Sequence, residues 1–227
     1  MSDVPATTDR TVILALDSAT TRVVVAAGTT DGELTETRDW PAGYRHGETL
    51  LPAVAALLEG RGIDRRSLAA IVVGTGPGAF TGLRVGIATA KGLAHALGVP
   101  IVGISTADAL LADGPTDAVL LLPAGPSDRL EARRGVPARL LPAGTEPELG
   151  AGATLVALDL PGRAPDDALE RGEAARAHLG ASLIALGAAR LAAGETDDLA
   201  ELVPDYVTLP RGVRGGGGEV SWSRDRR

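Results

Sequence analysis

The first three apolar segments lie too close together for a helix to fit between them. Thr11–Asp17 and Arg22–Gly28 are rich in β-branched residues and are joined by Ser18–Thr21 alone, and Glu33–Asp39 follows the turn Asp31-Gly32. β-branched segments favour strands, and Asp-Gly between them signals a hairpin turn. The chain is therefore predicted to open with three antiparallel strands. A doubly wound fold, in which a helix follows the first strand, is excluded.

A helical period follows these strands. From Gly47 onward, apolar residues recur every three or four positions in segments that alternate with short buried strands. The predicted elements in chain order are a helix over Gly47–Arg61, a strand over Ala69–Thr75, a helix over Thr81–Leu97, a strand over Ile101–Ile104, a helix from its cap Ser105 to Ala112, and a strand over Ala118–Leu122. The order β-β-β-α-β-α-β-α-β predicts a mixed sheet with helices on it.

The pattern is weaker after residue 122, where proline, glycine and alanine are frequent. We predict strands over Asp128–Arg133 and Leu155–Leu158, an amphipathic helix over Gly180–Ala193 and a last extended segment over Val203–Leu209. The glycine-rich stretch Arg214–Arg227 is typical of a flexible tail.

Composition excludes several classes of function. The 227 residues include no cysteine, which excludes disulfides, a thiol nucleophile and cysteine metal sites. A net charge of −7 argues against a broad nucleic-acid-binding surface. No signal peptide is recognisable, and no apolar run reaches the roughly 18 residues of a membrane span. We therefore expect a cytoplasmic protein that does not contact membranes.

The glycine-rich loop Gly74–Gly82 lies between a predicted strand and a predicted helix. Main-chain N–H groups in such a loop, together with a helix N-terminus, could bind an anion. The loop is not a P-loop, because it lacks the Gly-Lys-Ser/Thr sequence. Gly76 and Gly78 are thus candidate nucleotide-binding residues, and the alternative is a tight turn that requires positive φ.

Asp17 ends the first strand and is the third candidate for a vestigial nucleotide site. A carboxylate at the end of a strand could hold a metal–phosphate complex, or it could form a turn by accepting from its own backbone. Both interpretations remain open from the sequence. The chain has three histidines, His46, His95 and His178. They form no HxxxH pair, so no metal site is assigned. No Ser-His-Asp group can be assembled from the spacing, so no catalytic residue is assigned.

The two long predicted helices each carry a row of large residues and a row of small ones. The rows of large residues are Leu50, Val54 and Leu57 on the first helix, and Leu83, Ile87, Ala90 and Ala94 on the second. The rows of small residues are Thr49, Ala53, Ala56 and Gly60, and Val85, Thr89, Gly92 and Ala96. Small residues at heptad spacing allow close approach of helix backbones. The small rows are therefore predicted to face a partner, unless the two helices simply bury against each other.

Three motifs resemble a known family. His46–Pro52 resembles H-S-E-x-L-L-P, and Gly76–Gly86 resembles G-P-G-S-F-T-G-L-R-I-G. With the start Ile13–Thr21 (ILALDSATT), residues 12–112 are similar to the TsaB (YeaZ) family, whose members are subunits of the bacterial machinery that makes threonylcarbamoyladenosine in tRNA. Further along, Pro204–Val207 loosely fits the family's P-x-Y segment, whereas Pro123–Arg134 lacks its Asp-Ala-Arg-x-x-Glu-Val-Tyr-like stretch.

The resemblance implies an α/β fold of the actin-like, sugar-kinase-like ATPase type. Such a chain has two RNase H-like lobes, of which the second is reduced. The implied domains are an N-terminal Gcp-like lobe with the dimerisation helices over residues 11–112, a reduced lobe over 113–210 and a flexible tail over 211–227.

The implied function is tRNA modification by a non-catalytic, dimerising scaffold subunit without a cofactor. The family pairs with its catalytic paralogue TsaD through helices of the N-terminal lobes, and the P-loop ATPase TsaE docks on the pair. Whether the lone chain forms a homodimer is left open by the sequence, and tRNA is expected to be reached only through the complex.

The non-catalytic interpretation has support within the sequence. Catalytic paralogues carry a G-V-H-H-x-E-x-H-like pattern whose histidines bind a metal, and here Gly103–Leu110 places Thr106 and Leu110 at the ligand positions. A hydroxyl and an isobutyl group cannot replace two imidazoles. The alternative is a small-molecule kinase or ATPase of the same fold that uses Asp17 and Gly74–Gly78; a peptidase is a third possibility.

Overall fold

Two β-sheets organise the chain in the computed structural model, which describes residues 10–41 and 46–207. The elements in chain order are β1 (Val12–Asp17), β2 (Arg22–Thr29), β3 (Leu34–Pro41), α1 (His46–Gly60), a short 3₁₀ helix (Arg65–Ser67), β4 (Leu68–Gly76), α2 (Phe80–Leu97), β5 (Ile101–Ser105), α3 (Thr106–Leu111), β6 (Val119–Ala124), β7 (Asp128–Arg133), β8 (Val136–Leu141), β9 (Leu155–Ala157) and α4 (Asp166–Ala192). None of the helices in the described ranges is long and apolar enough to cross a bilayer.

The first sheet has five strands in the order β3-β2-β1-β4-β5. Strands β1, β2 and β3 are antiparallel, whereas β4 and β5 run parallel to β1. Successive side chains of a strand point to opposite faces. Thus Ile13 and Ala15 pack with residues of α4, whereas Leu14 and Leu16 pack with residues of α1 and α2. Both faces of β1 are buried, which explains its continuous apolar sequence.

The second sheet repeats the arrangement of the first with one strand fewer. Its order is β8-β7-β6-β9, in which β6, β7 and β8 are antiparallel and β9 is parallel to β6. This is the arrangement of β3-β2-β1-β4, without a counterpart of β5. The predicted α/β class, with a reduced second lobe, is confirmed. The domain boundaries at residues 112 and 210 stay a prediction.

The sequence predictions were wrong in two places in the second half. No strand was predicted over Val136–Leu141, where β8 is mostly exposed and contains Pro137. The last helix begins at Asp166 rather than at Gly180. Its first half buries Ala168, Gly172 and Arg176 instead of large apolar residues, so the periodicity gave no signal there. The predicted tail over 211–227 and the last residues of Val203–Leu209 lie outside the described residues.

Helix α4 contacts both sheets at very short range. A Cβ atom at Gly172 would overlap the main-chain carbonyl of Ala157 on β9, and one at Gly180 would lie 2.6 Å from Oγ1 of Thr37 on β3. The same helix places Leu179, Leu183 and Ile184 in the core. Glycine is therefore needed along α4 because the strands approach its backbone directly.

Two glycine substitutions should act in opposite directions. Gly172→Ala places a methyl group on a main-chain atom of β9, so the free energy of unfolding should fall by about 1–3 kcal/mol. Gly92→Ala in α2 meets no described atom within 4 Å. It should raise the free energy of unfolding by about 1 kcal/mol, because alanine is the better helix former. Urea unfolding of both variants and the wild type tests this, and equal effects of the two changes would contradict the close approach of α4.

Candidate functional site

The carboxylate of Asp17 is enclosed at the end of β1. Its side chain is 1% exposed. Oδ1 accepts from the main-chain N–H of Ala19 at 2.9 Å, and Oδ2 accepts from the hydroxyl of Thr106 at 2.7 Å. Each oxygen thus has a donor within the chain, which is how a buried polar group is satisfied.

The glycine-rich loop packs directly onto the turn that follows β1. A Cβ at Gly74 would overlap Oδ2 of Asp17, and a Cβ at Gly78 would overlap the carbonyl oxygen of Ala19. The N–H of Ala79 donates to that same carbonyl at 2.7 Å, and Gly76 has a φ of 108°. Close packing and positive φ account for these glycines. The sequence left two interpretations open, an anion-binding loop and a tight turn, and these contacts favour the tight turn.

The start of α2 closes the other side of the turn. Ser18 donates its hydroxyl to the carbonyl of Gly82 at 2.8 Å, and a Cβ at Gly86 would overlap Ser18 Oγ. Ser18, Ala19 and Thr20 are at most 4% exposed. A phosphate could reach Asp17 only by displacing these contacts. The fold brings Asp17, Gly76 and Gly78 close together in a closed arrangement, and their assignment to a nucleotide site stays a prediction.

Burial raises the pKa of Asp17 to about 6, although the hydrogen bonds from Thr106 and Ala19 oppose the shift. Removal of an ionised group from water is costly, so the neutral form is favoured. The carboxylate is therefore a titrating group near neutral pH.

The two positions at which the catalytic paralogue would have metal ligands serve packing here. Thr106 is fully buried, donates to Asp17 and accepts from the N–H of Gly76 at 3.1 Å. Leu110 is 4% exposed and belongs to the apolar core. Within residues 10–41 and 46–207, no three His, Cys, Asp or Glu residues form a group that could hold a metal ion. The expected absence of a metal stays a prediction.

A cleft of about 590 Å³ lies beside the glycine-rich loop, between the two sheets. Asp205 lines it and accepts from the hydroxyl of Thr75 at 2.7 Å. Burial raises the pKa of Asp205, and the nearby charge of Asp108 adds to the shift. Tyr206 also lines the cleft and stacks on Phe80, with ring centroids 5.1 Å apart. The sequence analysis did not predict this cleft. The P-x-Y segment, whose residues line it, was the signal in the sequence that could have indicated it.

The outer sides of α1 and α2 carry the small residues of the predicted interface. Leu50, Leu57 and Leu83 are at most 1% exposed and pack on the first sheet. On the small rows, Ala56, Gly92 and Ala96 are exposed, and the half-buried members are Thr49, Ala53, Val85 and Thr89. Thr49 accepts from Nε1 of Trp40 at 3.3 Å. The assignment of these residues to a partner stays a prediction.

Asp17→Asn should remove a pH-dependent cost of folding. The pKa of Asp17 in the folded chain, about 6, exceeds its ordinary value of 3.8. Protonation of Asp17 therefore contributes fully to the free energy of unfolding below pH 4, and this contribution is lost as the pH rises through 6. Above pH 7, Asp17→Asn should therefore be more stable than the wild type by up to about 3 kcal/mol, and the gap should close near pH 4.

Urea unfolding at pH 4, 5, 6 and 7.5 measures this gap. Asp31→Asn, which removes a carboxyl from an exposed turn, is the control and should leave the pH profile of the wild type unchanged. A gap between Asp17→Asn and the wild type that does not change with pH would contradict the buried titration.

Residues 41–132 match the family model "TsaD: tRNA N6-adenosine threonylcarbamoyltransferase". An uncharacterized protein of Mycobacterium leprae is 42% identical over 103 residues, which is 44% of this chain and 28% of that protein. The tRNA threonylcarbamoyladenosine biosynthesis protein TsaB of Bacillus subtilis is 38% identical over 90 residues, or 40% of this chain and 37% of that protein. The aligned part is thus less than two fifths of either relative.

The likeness in fold extends further than the likeness in sequence. YeaZ from Pseudomonas aeruginosa superposes with a TM-score of 0.68 at 24% identity, over 86% of this chain and 99% of that chain. The two proteins therefore share one fold. Together, the comparisons confirm the resemblance that the motifs carried: the chain is similar to the TsaB (YeaZ) proteins, in sequence over about 100 residues and in fold over most of its described length.

Proposed function

We propose that this chain is a non-catalytic scaffold subunit in the modification of tRNA with threonylcarbamoyladenosine. In this proposal it pairs with the catalytic paralogue TsaD, and the complex, not this chain, transfers the threonylcarbamoyl group to the adenosine beside the anticodon. The likeness to the TsaB protein of Bacillus subtilis and the TsaD match over residues 41–132 support this pathway.

The observation that carries the scaffold role is the two-sided character of α2. Leu83 and Ile87 are buried on the first sheet, whereas Gly92 and Ala96 are exposed on the other side of the helix. A Cβ at Gly92 meets no described atom within 4 Å. Val85 and Thr89 of this row are half-buried, but the chain's own fold leaves Gly92 and Ala96 exposed, and small exposed residues suit close approach by a helix of another chain.

The remaining partners in this proposal come from the resemblance to the TsaB family. TsaE docks on the pair of paralogues, a homodimer uses the same helices when TsaD is absent, and the site of action is the cytoplasm. The net charge of −7 supports contact with tRNA only through the complex, because an acidic surface repels phosphates.

The kinase alternative has little support in the described contacts. Both oxygens of Asp17 accept hydrogen bonds from within the chain, and the glycine-rich loop is packed on Ala19. We expect titration calorimetry of the lone chain with ATP and Mg²⁺ to detect no binding in the micromolar range. Micromolar affinity that Asp17→Ala abolishes would instead favour the kinase.

Bulky residues on the small rows should weaken pairing without unfolding the chain. Ala56→Phe and Ala96→Phe replace exposed residues, so the melting temperature of the lone chain should change little. Overpacking costs about 1–3 kcal/mol per site. At the interface this weakens TsaD binding by roughly five- to 150-fold, with a matching loss of tRNA modification. Co-purification and the melting curve of each variant are measured together.

Two controls separate the interface from the core. Ala55→Phe alters an exposed alanine on another side of α1 and should leave pairing intact. Leu50→Ala and Ile87→Ala open cavities in the core and should lower the free energy of unfolding by about 2–5 kcal/mol. If the phenylalanine variants unfold the lone chain while the cavity variants only weaken pairing, the rows are assigned backwards. Pairing that survives all these changes would exclude the helices as the interface.

A further inference from the structure

Asp159 follows β9 in an unusual backbone conformation. Its φ is 59°, and it is the one non-glycine residue with positive φ in the part of the chain that the structure describes. L-residues other than asparagine and aspartate rarely adopt this region. Its side chain is only 9% exposed. A half-buried aspartate in this conformation persists where the surrounding structure holds its carboxylate.

Three donors from two other parts of the fold meet this carboxylate. Oδ2 accepts from the main-chain N–H of Thr21 at 2.9 Å, and Oδ1 accepts from the hydroxyl of Thr21 at 2.6 Å. Nη2 of Arg176 on α4 forms an ion pair with the same Oδ1, and its Nη1 donates to Thr21 Oγ1 at 3.3 Å. Thr21 belongs to the turn between β1 and β2, so the cluster joins the first sheet to β9 and α4.

This donor set is the one that proteins use for oxyanions. A main-chain N–H, a hydroxyl and a guanidinium converge on one pair of oxygens, and guanidinium binds carboxylate and phosphate with the same geometry. The side chain of Arg176 is 6% exposed, and its Nε has no hydrogen-bond partner among the described residues. A buried guanidinium without its anion is strongly unfavourable. Besides Asp159, Arg176 pairs with the exposed carboxylate of Glu173 at 3.2 Å, so Asp159 is the buried anion that occupies the cradle.

We infer that Thr21 and Arg176 form an oxyanion cradle whose occupant is the chain's own Asp159 carboxylate. The occupant locks the turn after β1 onto the second sheet and α4. Without the internal carboxylate, the same three donors bind a small free oxyanion such as inorganic phosphate. This goes beyond the scaffold role and does not depend on any partner.

Asp159→Gly is the direct test, because glycine adopts a φ of 59° without strain. The variant should melt below the wild type in chloride. Millimolar phosphate, at matched ionic strength, should raise its melting temperature by more than it raises that of the wild type. Hydrogen exchange at the Thr21 amide should be roughly tenfold faster in the variant and slow again with phosphate. The double variant Asp159→Gly/Arg176→Met should lose the response to phosphate.

Two further variants keep the test decisive. Asp159→Asn tolerates positive φ and retains an acceptor for Thr21, so it should fold with intermediate stability and no specific gain from phosphate. Glu173→Ala removes the exposed second partner of Arg176 and should behave as the wild type. The inference is overturned if Asp159→Gly and Asp159→Asn both melt as the wild type does. It is equally overturned if phosphate stabilises Asp159→Gly no more than the wild type, or leaves exchange at Thr21 fast.

Discussion

The hydrogen bond between the carboxylate of Asp17 and the hydroxyl of Thr106 is the contact around which the centre of the molecule is built. It joins the end of β1 to the start of α3, and the space between them is too narrow for any residue but glycine at position 74. Thr106 also accepts from Gly76, so the same hydroxyl fixes the loop that leads into α2. A polar pair that is buried and fully hydrogen-bonded specifies one arrangement of its surroundings. The same two hydrogen bonds hold the turn after β1 and the glycine-rich loop that leads into α2.

The orientation of α1 and α2 decides which of their residues are buried in the core of this chain. The large residues of α1 and α2 lie on the first sheet, and the small ones lie outside. Large apolar side chains gain the most from burial, so they are best used within the chain. A flat outer surface of alanine and glycine contributes little to the stability of the lone chain. In the proposed pairing, this surface is the part of the chain that a helix of the partner contacts.

The sequence predicted the first half of the fold well because large apolar residues mark most elements there. Leucine, isoleucine and valine are frequent in β1, β2, β4 and β5 and recur along α1 and α2, whereas β3 has Leu34 alone and was predicted from its weak alternation and the turn before it. The start of α4 was missed because its buried side holds Gly172 and Arg176, which no periodicity analysis counts as core. The hydrogen bond from Thr106 to Asp17 and the ion pair between Asp159 and Arg176 join distant parts of the chain, so neither leaves a local pattern. The motifs identified the glycine-rich loop, but they could not show that the loop packs tightly against the turn after β1.

Helix α4 also sets the order in which the chain can become stable during synthesis. One face of the first sheet, with Ile13, Val24 and Val72, is covered by Leu179, Leu183 and Ile184 of α4. The ribosome makes these partners last among the helices described. Until they emerge, the nascent sheet exposes an apolar surface of the kind that chaperones bind and that promotes aggregation. The two sheets are therefore not two independent folding units, and the first one is completed only by residues that are translated after the second.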